Sequence, residues 1–234
     1  MRTSLALFVL VAVLGAAAPS LAQESAEGQA AGGPQVKPAT PQKPRPRAPR
    51  GLRVFGGAEV AVPAATDAFD AVTGSPVFPA YGGGVELVNL WRGLFIRFQI
   101  MKGTKDAEHG LVVNGDFLPT GVPFDISMRT TELGLGWRIN FRKPGRSFHF
   151  GGGRTWLAYK ERTAGFPEED LDQTHDGAFV MAGYTHPVLS RVLLTFEGFF
   201  RQIDAGEGTG IMAGFNESDL GGAGARLLVS YRLK

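Results

Sequence analysis

The sequence predicts an all-β fold, an eight-stranded antiparallel up-and-down barrel. Three observations predict it. Eight segments alternate apolar and polar residues with period two, the connections between them alternate short and long, and glycine is abundant at 33 residues. Glycine at that level suits tight turns and close packing more than helices. The segment 131–141 shows the alternation most fully. Leu133, Leu135, Trp137, Ile139 and Phe141 are apolar; Glu132, Gly134, Gly136, Arg138 and Asn140 between them are small or polar. Strand side chains alternate faces, so this segment has one greasy and one polar face. A helix of about 3.6 residues per turn would scatter the same residues around its circumference.

Before the alternating segments lie two stretches of different character. Residues 1–22 read as a secretory signal peptide: Arg2 supplies the positive start, and the apolar run 5–18 is too short to span a membrane as a helix. Ser20-Leu21-Ala22 offers small residues for cleavage after Ala22. Residues 23–50 read as a disordered linker, with Pro34, Pro38, Pro41, Pro44, Pro46 and Pro49 interspersed with Lys37, Lys43, Arg45, Arg47 and Arg50. Proline at this density blocks helix and sheet, and like charges extend the chain. Residues 51–234 then form one domain. The absence of cysteine excludes a disulfide framework, a thiolate metal site and a lipoprotein anchor, and a net charge of +2 is no nucleic-acid footprint.

The predicted strands fall at about 52–62, 80–89, 93–102, 125–141, 147–161, 176–186, 191–202 and 222–233. In the first, Val54, Ala58, Val60 and Val62 oppose Arg53, Gly57 and Glu59; in the second, Val85 and Leu87 oppose Gly84 and Glu86. Leu94, Ile96, Phe98 and Ile100 oppose Arg97 and Gln99 in the third, and Val192, Leu194, Phe196 and Phe200 oppose Thr195, Glu197 and Arg201 in the seventh. The eighth sets Leu227, Val229, Tyr231 and Leu233 against Arg226, Leu228, Ser230 and Arg232. Connections at 90–92, 143–146 and 187–190 are tight turns, whereas 63–79, 103–124, 162–175 and 203–221 are long. The barrel therefore has two unlike ends.

The polar faces decide which side points in. They combine small residues (Gly57, Gly84, Gly134, Gly136, Gly183) with Glu59, Glu86, Glu132 and Glu197 and with Arg53, Arg97, Arg138, Arg201 and Arg226. An eight-stranded barrel is only wide enough for side chains to fill it, and buried charges persist only when paired. Small residues and opposite charges therefore predict a charge-plugged lumen under an apolar exterior, which makes the barrel transmembrane. Trp91, Trp137, Phe141, Phe148 and Tyr231 fall near the short-turn end, and Tyr81, Trp156 and Phe200 toward the other, as two interfacial belts would. Arg154 breaks the pattern: by parity it faces lipid near mid-strand. The preceding Gly151-Gly152-Gly153 is expected to hold a bulge that turns it into the lumen network.

The signal, the eight alternating segments, the short–long connections and the terminal strand resemble the small eight-stranded outer-membrane β-barrel proteins of the OmpA/OmpX type. The stretch Phe148-His149-Phe150-Gly151-Gly152-Gly153 is similar to an aromatic-then-glycine strand of that superfamily. The last strand departs from the family pattern, since Tyr231 stands three residues before the final Lys234. The resemblance implies a Gram-negative outer-membrane location, long loops extracellular, both termini periplasmic, and outer-membrane lipids and the barrel assembly machinery as partners. The basic linker is then a solvated tether or, alternatively, a spacer that touches anionic cell-wall polymers.

No catalytic, cofactor-binding or metal site is expected. Asp172, His175 and Asp176 form the one compact His–acid cluster, with Glu168, Glu169 and Asp170 close by and His109 on another long connection; no serine adjoins it. The most distinctive outer feature is a hairpin signal, Val112-Val113-Asn114-Gly115-Asp116-Phe117, whose Asn-Gly pair suits a type I′ turn and projects strands three and four beyond the bilayer. Phe69, Phe78, Phe166 and Phe215 in the long connections either anchor a partner or pack over the barrel mouth. The expected function is a non-enzymatic structural or surface-interaction role. The alternatives are a narrow channel for small solutes and a lipid-modifying enzyme or protease.

Overall fold

A computed structural model describes residues 51–113, 116–206 and 210–233. The expected signal peptide and linker, and Asn114 and Gly115 of the hairpin, lie outside the described residues. Eight strands follow in order: β1 (Gly51–Pro63), β2 (Phe78–Val88), β3 (Leu94–Val113), β4 (Asp116–Asn140), β5 (Ser147–Thr163), β6 (Leu171–Pro187), β7 (Val192–Ile203) and β8 (Gly222–Arg232). Each pairs antiparallel with its sequence neighbours, and β1 pairs with β8, closing the barrel. Closure satisfies every strand edge around the ring, which an open sheet cannot do in an apolar medium. The predicted alternation holds on every strand. Val54, Val85, Ile96, Phe98, Leu133, Leu135, Phe150, Val180, Phe196, Leu227 and Val229 stand exposed on the outer face, while the charged residues between them are buried.

Two predicted connections are strand instead. Residues 103–113 and 116–124 continue β3 and β4, as the hairpin signal predicted, pairing from Leu94↔Trp137 up to Val113↔Asp116 with a single irregularity between Glu108 and Gly110. Pairing holds along this stretch although both faces there are partly polar. Residues 171–175 likewise belong to β6, opposite β5. At about 3.3 Å per residue and a tilt near 40°, the part of β3 beyond Lys102 rises on the order of 25 Å. Strands β3–β6 thus form a sheet projecting from one end of the barrel.

A second apolar core fills the hollow of that sheet. Its centre is helix α1 (Thr66–Thr73), which buries Ala68, Phe69 and Val72. They pack with Phe78, Phe124, Ile126, Leu157, Tyr159, Ile203, Met212 and Leu220. Ala65, Ala68, Phe69 and Val72 follow the i, i+3, i+4, i+7 spacing of a helix face, a signal present in the sequence but short enough to miss. The Glu217 carboxylate accepts the backbone N–H groups of Asp67 and Ala68 at 3.3 and 2.9 Å, satisfying donors at the helix start. Gly74, at φ 68°, ends the helix in the left-handed conformation that glycine adopts without strain. Lys105 reaches in from β3 to the carbonyls of Ser75 and Val77 at 2.5 and 3.1 Å. Phe69 and Phe78 meet edge to face at 6.1 Å. The loop phenylalanines therefore pack over the barrel mouth, except Phe166, which stays exposed.

Candidate functional site

Register alone creates half of the lumen network. Glu86 lies between Arg53 and Arg97 on the flanking strands, and Arg226 lies between Glu59 and Glu197. The rest of the network crosses the lumen. Arg138 on β4 donates to both oxygens of Glu86 on β2, at 2.8 and 2.7 Å. Arg97 donates to Glu86 at 3.0 Å and to Glu197 at 2.5 Å. Arg226 donates to Glu197 at 3.0 Å, to Glu59 at 2.7 Å and to Glu132 at 2.6 Å. Arg201 joins Glu59 and Glu132 from β7, at 3.0 and 2.7 Å. These groups form one continuous buried web from wall to wall. Bidentate and bridging geometry of this kind is what a guanidinium fork supplies and a lysine does not.

Aromatic rings and glycines complete the plug. Phe199 has Arg201 and Arg226 over its ring at 4.2 and 4.1 Å, and Phe95 has Arg97 and Arg138 at 5.6 and 5.4 Å. Those ring faces take up guanidinium charge where carboxylates run out: Arg138 Nε and Nη1 have no acceptor among the described residues. Inward glycines leave room for the rings. A Cβ on Gly136 would sit 2.6 Å from Phe95 Cζ, and one on Gly183 would sit 2.8 Å from the His149 ring. The space left between the network and the outer core is a cavity of about 30 Å³ beside Glu59, Thr130, Arg201 and Leu157. That holds on the order of one water.

Of the predicted network, Arg53, Glu59, Glu86, Arg97, Glu132, Arg138, Glu197, Arg201 and Arg226 are buried in the lumen, and Arg154 is not. The pairing of β5 with β4 and β6 runs through Gly151, Gly152 and Gly153 without a bulge, so Arg154 keeps its outward parity. It donates to Asp176 at 2.6 Å, both side chains 65% exposed. The expectation failed because it placed Arg154 at mid-strand. Both strands run further than expected, and its row holds the uppermost residue of the continuous outward apolar run of β4, Leu133, and the first outward polar residue of β7, Gln202. There an arginine meets water. Two network members were not foreseen: His149 meets Glu197 at 2.8 Å, and Gln99 donates to Glu132 at 2.8 Å. Parity marked both, since His149 lies between outward Phe148 and Phe150, and Gln99 between Phe98 and Ile100.

The His–acid cluster is dispersed. Asp172 and Asp176 face outward and bind Lys160 and Arg154, whereas His175 faces inward. Asp170 closes the turn after β5, accepting from Arg162 at 2.6 Å and from the Thr163 amide at 3.0 Å. Glu169 stands 3.8 Å from His109. Both line a cleft of about 380 Å³, together with Glu108, Glu161, Phe117 and Phe215. Among the described residues no three histidine or acidic side chains gather as metal ligands. At the hairpin tip, Leu111 pairs with Leu118 and Val112 with Phe117. Leu111, Val113 and Leu118 are exposed, while Phe117 packs inward on the second core.

Several solved structures are similar to this one. The N-terminal β-barrel domain of Pseudomonas aeruginosa OprF matches with a TM-score of 0.48 at 10% identity, covering 79% of this chain and 98% of that one. Ail, the attachment invasion locus protein of Yersinia pestis, matches at 0.45 and 9%, covering 79% and 97%. A major outer membrane protein from Thermus thermophilus matches at 0.42 and 14%, covering 77% and 99%. No family model and no curated protein matches the sequence.

Proposed function

We propose that this chain is a non-enzymatic outer-membrane barrel whose lumen is closed and whose projecting sheet is its working surface. One observation carries the reading: the continuous ion web fills a barrel whose exterior is apolar. An apolar exterior of this kind is costly in water and suited to lipid. The start of β1 at Gly51 and the end of β8 at Arg232 lie at the short-turn end, which supports periplasmic termini and outward long connections. Above the bilayer the sheet is polar on its outer face up to the tip, where Leu111, Val113 and Leu118 reappear as an exposed apolar patch. Such a patch far from lipid suits a protein partner.

Two measurements test the reading. Extracted in mild detergent, the full chain is expected to stay folded in cold SDS and to shift in mobility on boiling; a soluble protein without a shift overturns the membrane assignment. In planar bilayers the reconstituted protein is expected to give no unitary current. Discrete conductance steps would favour the narrow channel over the closed barrel.

A further inference from the structure

The outer face of the projecting sheet carries two charge arrangements that differ in kind. On β5 the outward cations have acids from β6 or from the turn before it: Arg154 with Asp176, Lys160 with Asp172, Arg162 with Asp170. Across β3 and β4, like faces like. Lys102 stands directly opposite Arg129, and four rows further up Asp106 stands directly opposite Asp125. Lys102 and Arg129 are both exposed, and neither forms an ion pair with a described carboxylate. Directly opposed side chains have Cβ atoms about 5 Å apart, so two cations there repel. The acids cannot relieve them. Four residues along a strand is about 13 Å, beyond the screening length of about 8 Å at physiological salt.

Position makes the pair informative. On the same outer face, the next residues below are Ile100 and Thr131, and then Phe98 and Leu133, where the apolar exterior begins. Trp156 shares the Thr131 row, and exposed Tyr81 is opposite Lys102 on β2. Trp and Tyr at the top of an apolar band mark the headgroup level. Two unneutralised cations at that level, tolerated against their mutual repulsion, call for an anion from the lipid itself.

We propose that Lys102 and Arg129 bind the phosphate of an anionic amphiphile in the leaflet on the long-connection side, with Tyr81 beside the headgroup. Guanidinium and ammonium together supply charge-assisted donors to phosphate oxygens. The inference rests on the membrane reading above.

The test is native mass spectrometry of the full chain released from zwitterionic micelles containing a small fraction of phosphatidic acid, whose phosphate monoester is the probe. The unaltered protein is expected to retain phosphatidic acid in preference to phosphatidylcholine. Lys102→Gln and Arg129→Gln should each lower that retention about tenfold, as loss of one charge-assisted contact implies, and Arg154→Gln should leave it unchanged. Inorganic phosphate in excess should not displace the lipid. Equal retention in all variants, or displacement by inorganic phosphate, overturns the proposal, the latter pointing to a soluble anion instead. Each single variant should keep its cold-SDS mobility, because removing one of two facing like charges relieves repulsion; a variant that loses it contradicts the premise. Failure of the unaltered protein to show heat-modifiability would sink the membrane reading itself, whereas a heat-modifiable barrel without phosphatidic acid preference sinks only this inference.

Discussion

Glu197 illustrates what a buried charge costs when its partners are removed. It holds Arg97, Arg226 and His149 in the lumen, so Glu197→Gln leaves cations facing a neutral amide. Breaking one partner of a buried pair costs about 3–5 kcal/mol, and the urea midpoint of the heat-modifiable form should fall accordingly. Arg154→Ala removes an exposed pair and should change the unfolding free energy by at most about 1 kcal/mol. A fall as large as that of Glu197→Gln would place Arg154 in a structural role that its exposure denies. Gly136→Leu tests packing rather than charge. Its Cβ would run into the Phe150 carbonyl oxygen and sit 2.6 Å from Phe95 Cζ, so both the β5 backbone and the ring must shift, and overpacking of this kind costs at least roughly 1–3 kcal/mol.

At the level of elements, helix α1 depends on a residue far along the chain. Glu217→Ala leaves the Asp67 and Ala68 amides without their acceptor, and loss of such a cap costs about 1 kcal/mol. Faster hydrogen exchange at those two amides, with the barrel amides unchanged, is the expected readout. The turn after β5 should respond to acid. Hydrogen bonds from Arg162 and from the Thr163 amide hold the Asp170 carboxyl below its ordinary value of 3.8. A carboxylate whose folded pKa is depressed stabilises its loop at pH above the unfolded value. That contribution is lost as pH falls through the lower, folded one. Protection of the Thr163 amide should therefore be constant from neutral pH down to about 4 and collapse below it. In Asp170→Asn the pH dependence should vanish, and a retained collapse would assign it to another group.

At the scale of the whole molecule, barrel and projection have separate cores. The lumen is held by charges, Phe95, Phe179 and Phe199, and the projection by Phe69, Phe124, Tyr159 and Met212. Replacing residues 103–124 with a short turn should therefore leave the mobility shift on boiling intact, since β2–β3 and β4–β5 pairing below it is unaffected. Proteolysis of the exposed long connections should rise as the outer core loses Phe117 and Phe124. Loss of the heat shift in that variant would mean that the projection organises the barrel.

Parity is a local property, and the sequence determined by itself everything that depends on it. Strand number, order of connections, the outward apolar face and nine members of the lumen network followed from period-two alternation, because a strand's side chains change faces at every residue whatever lies next door. Height and partner are not local. Whether Arg154 sits at mid-membrane or at its edge depends on how far β5 and β6 pair beyond it, and that is decided between strands. The crossing contacts of Arg138 with Glu86 and of Arg201 with Glu132 likewise need the closed ring, which brings residues 52 and 69 positions apart within hydrogen-bond reach. The facing of Lys102 with Arg129, and the helix that caps the mouth, were set by tertiary register and packing. No alternation along one strand encodes which residue of another will stand opposite.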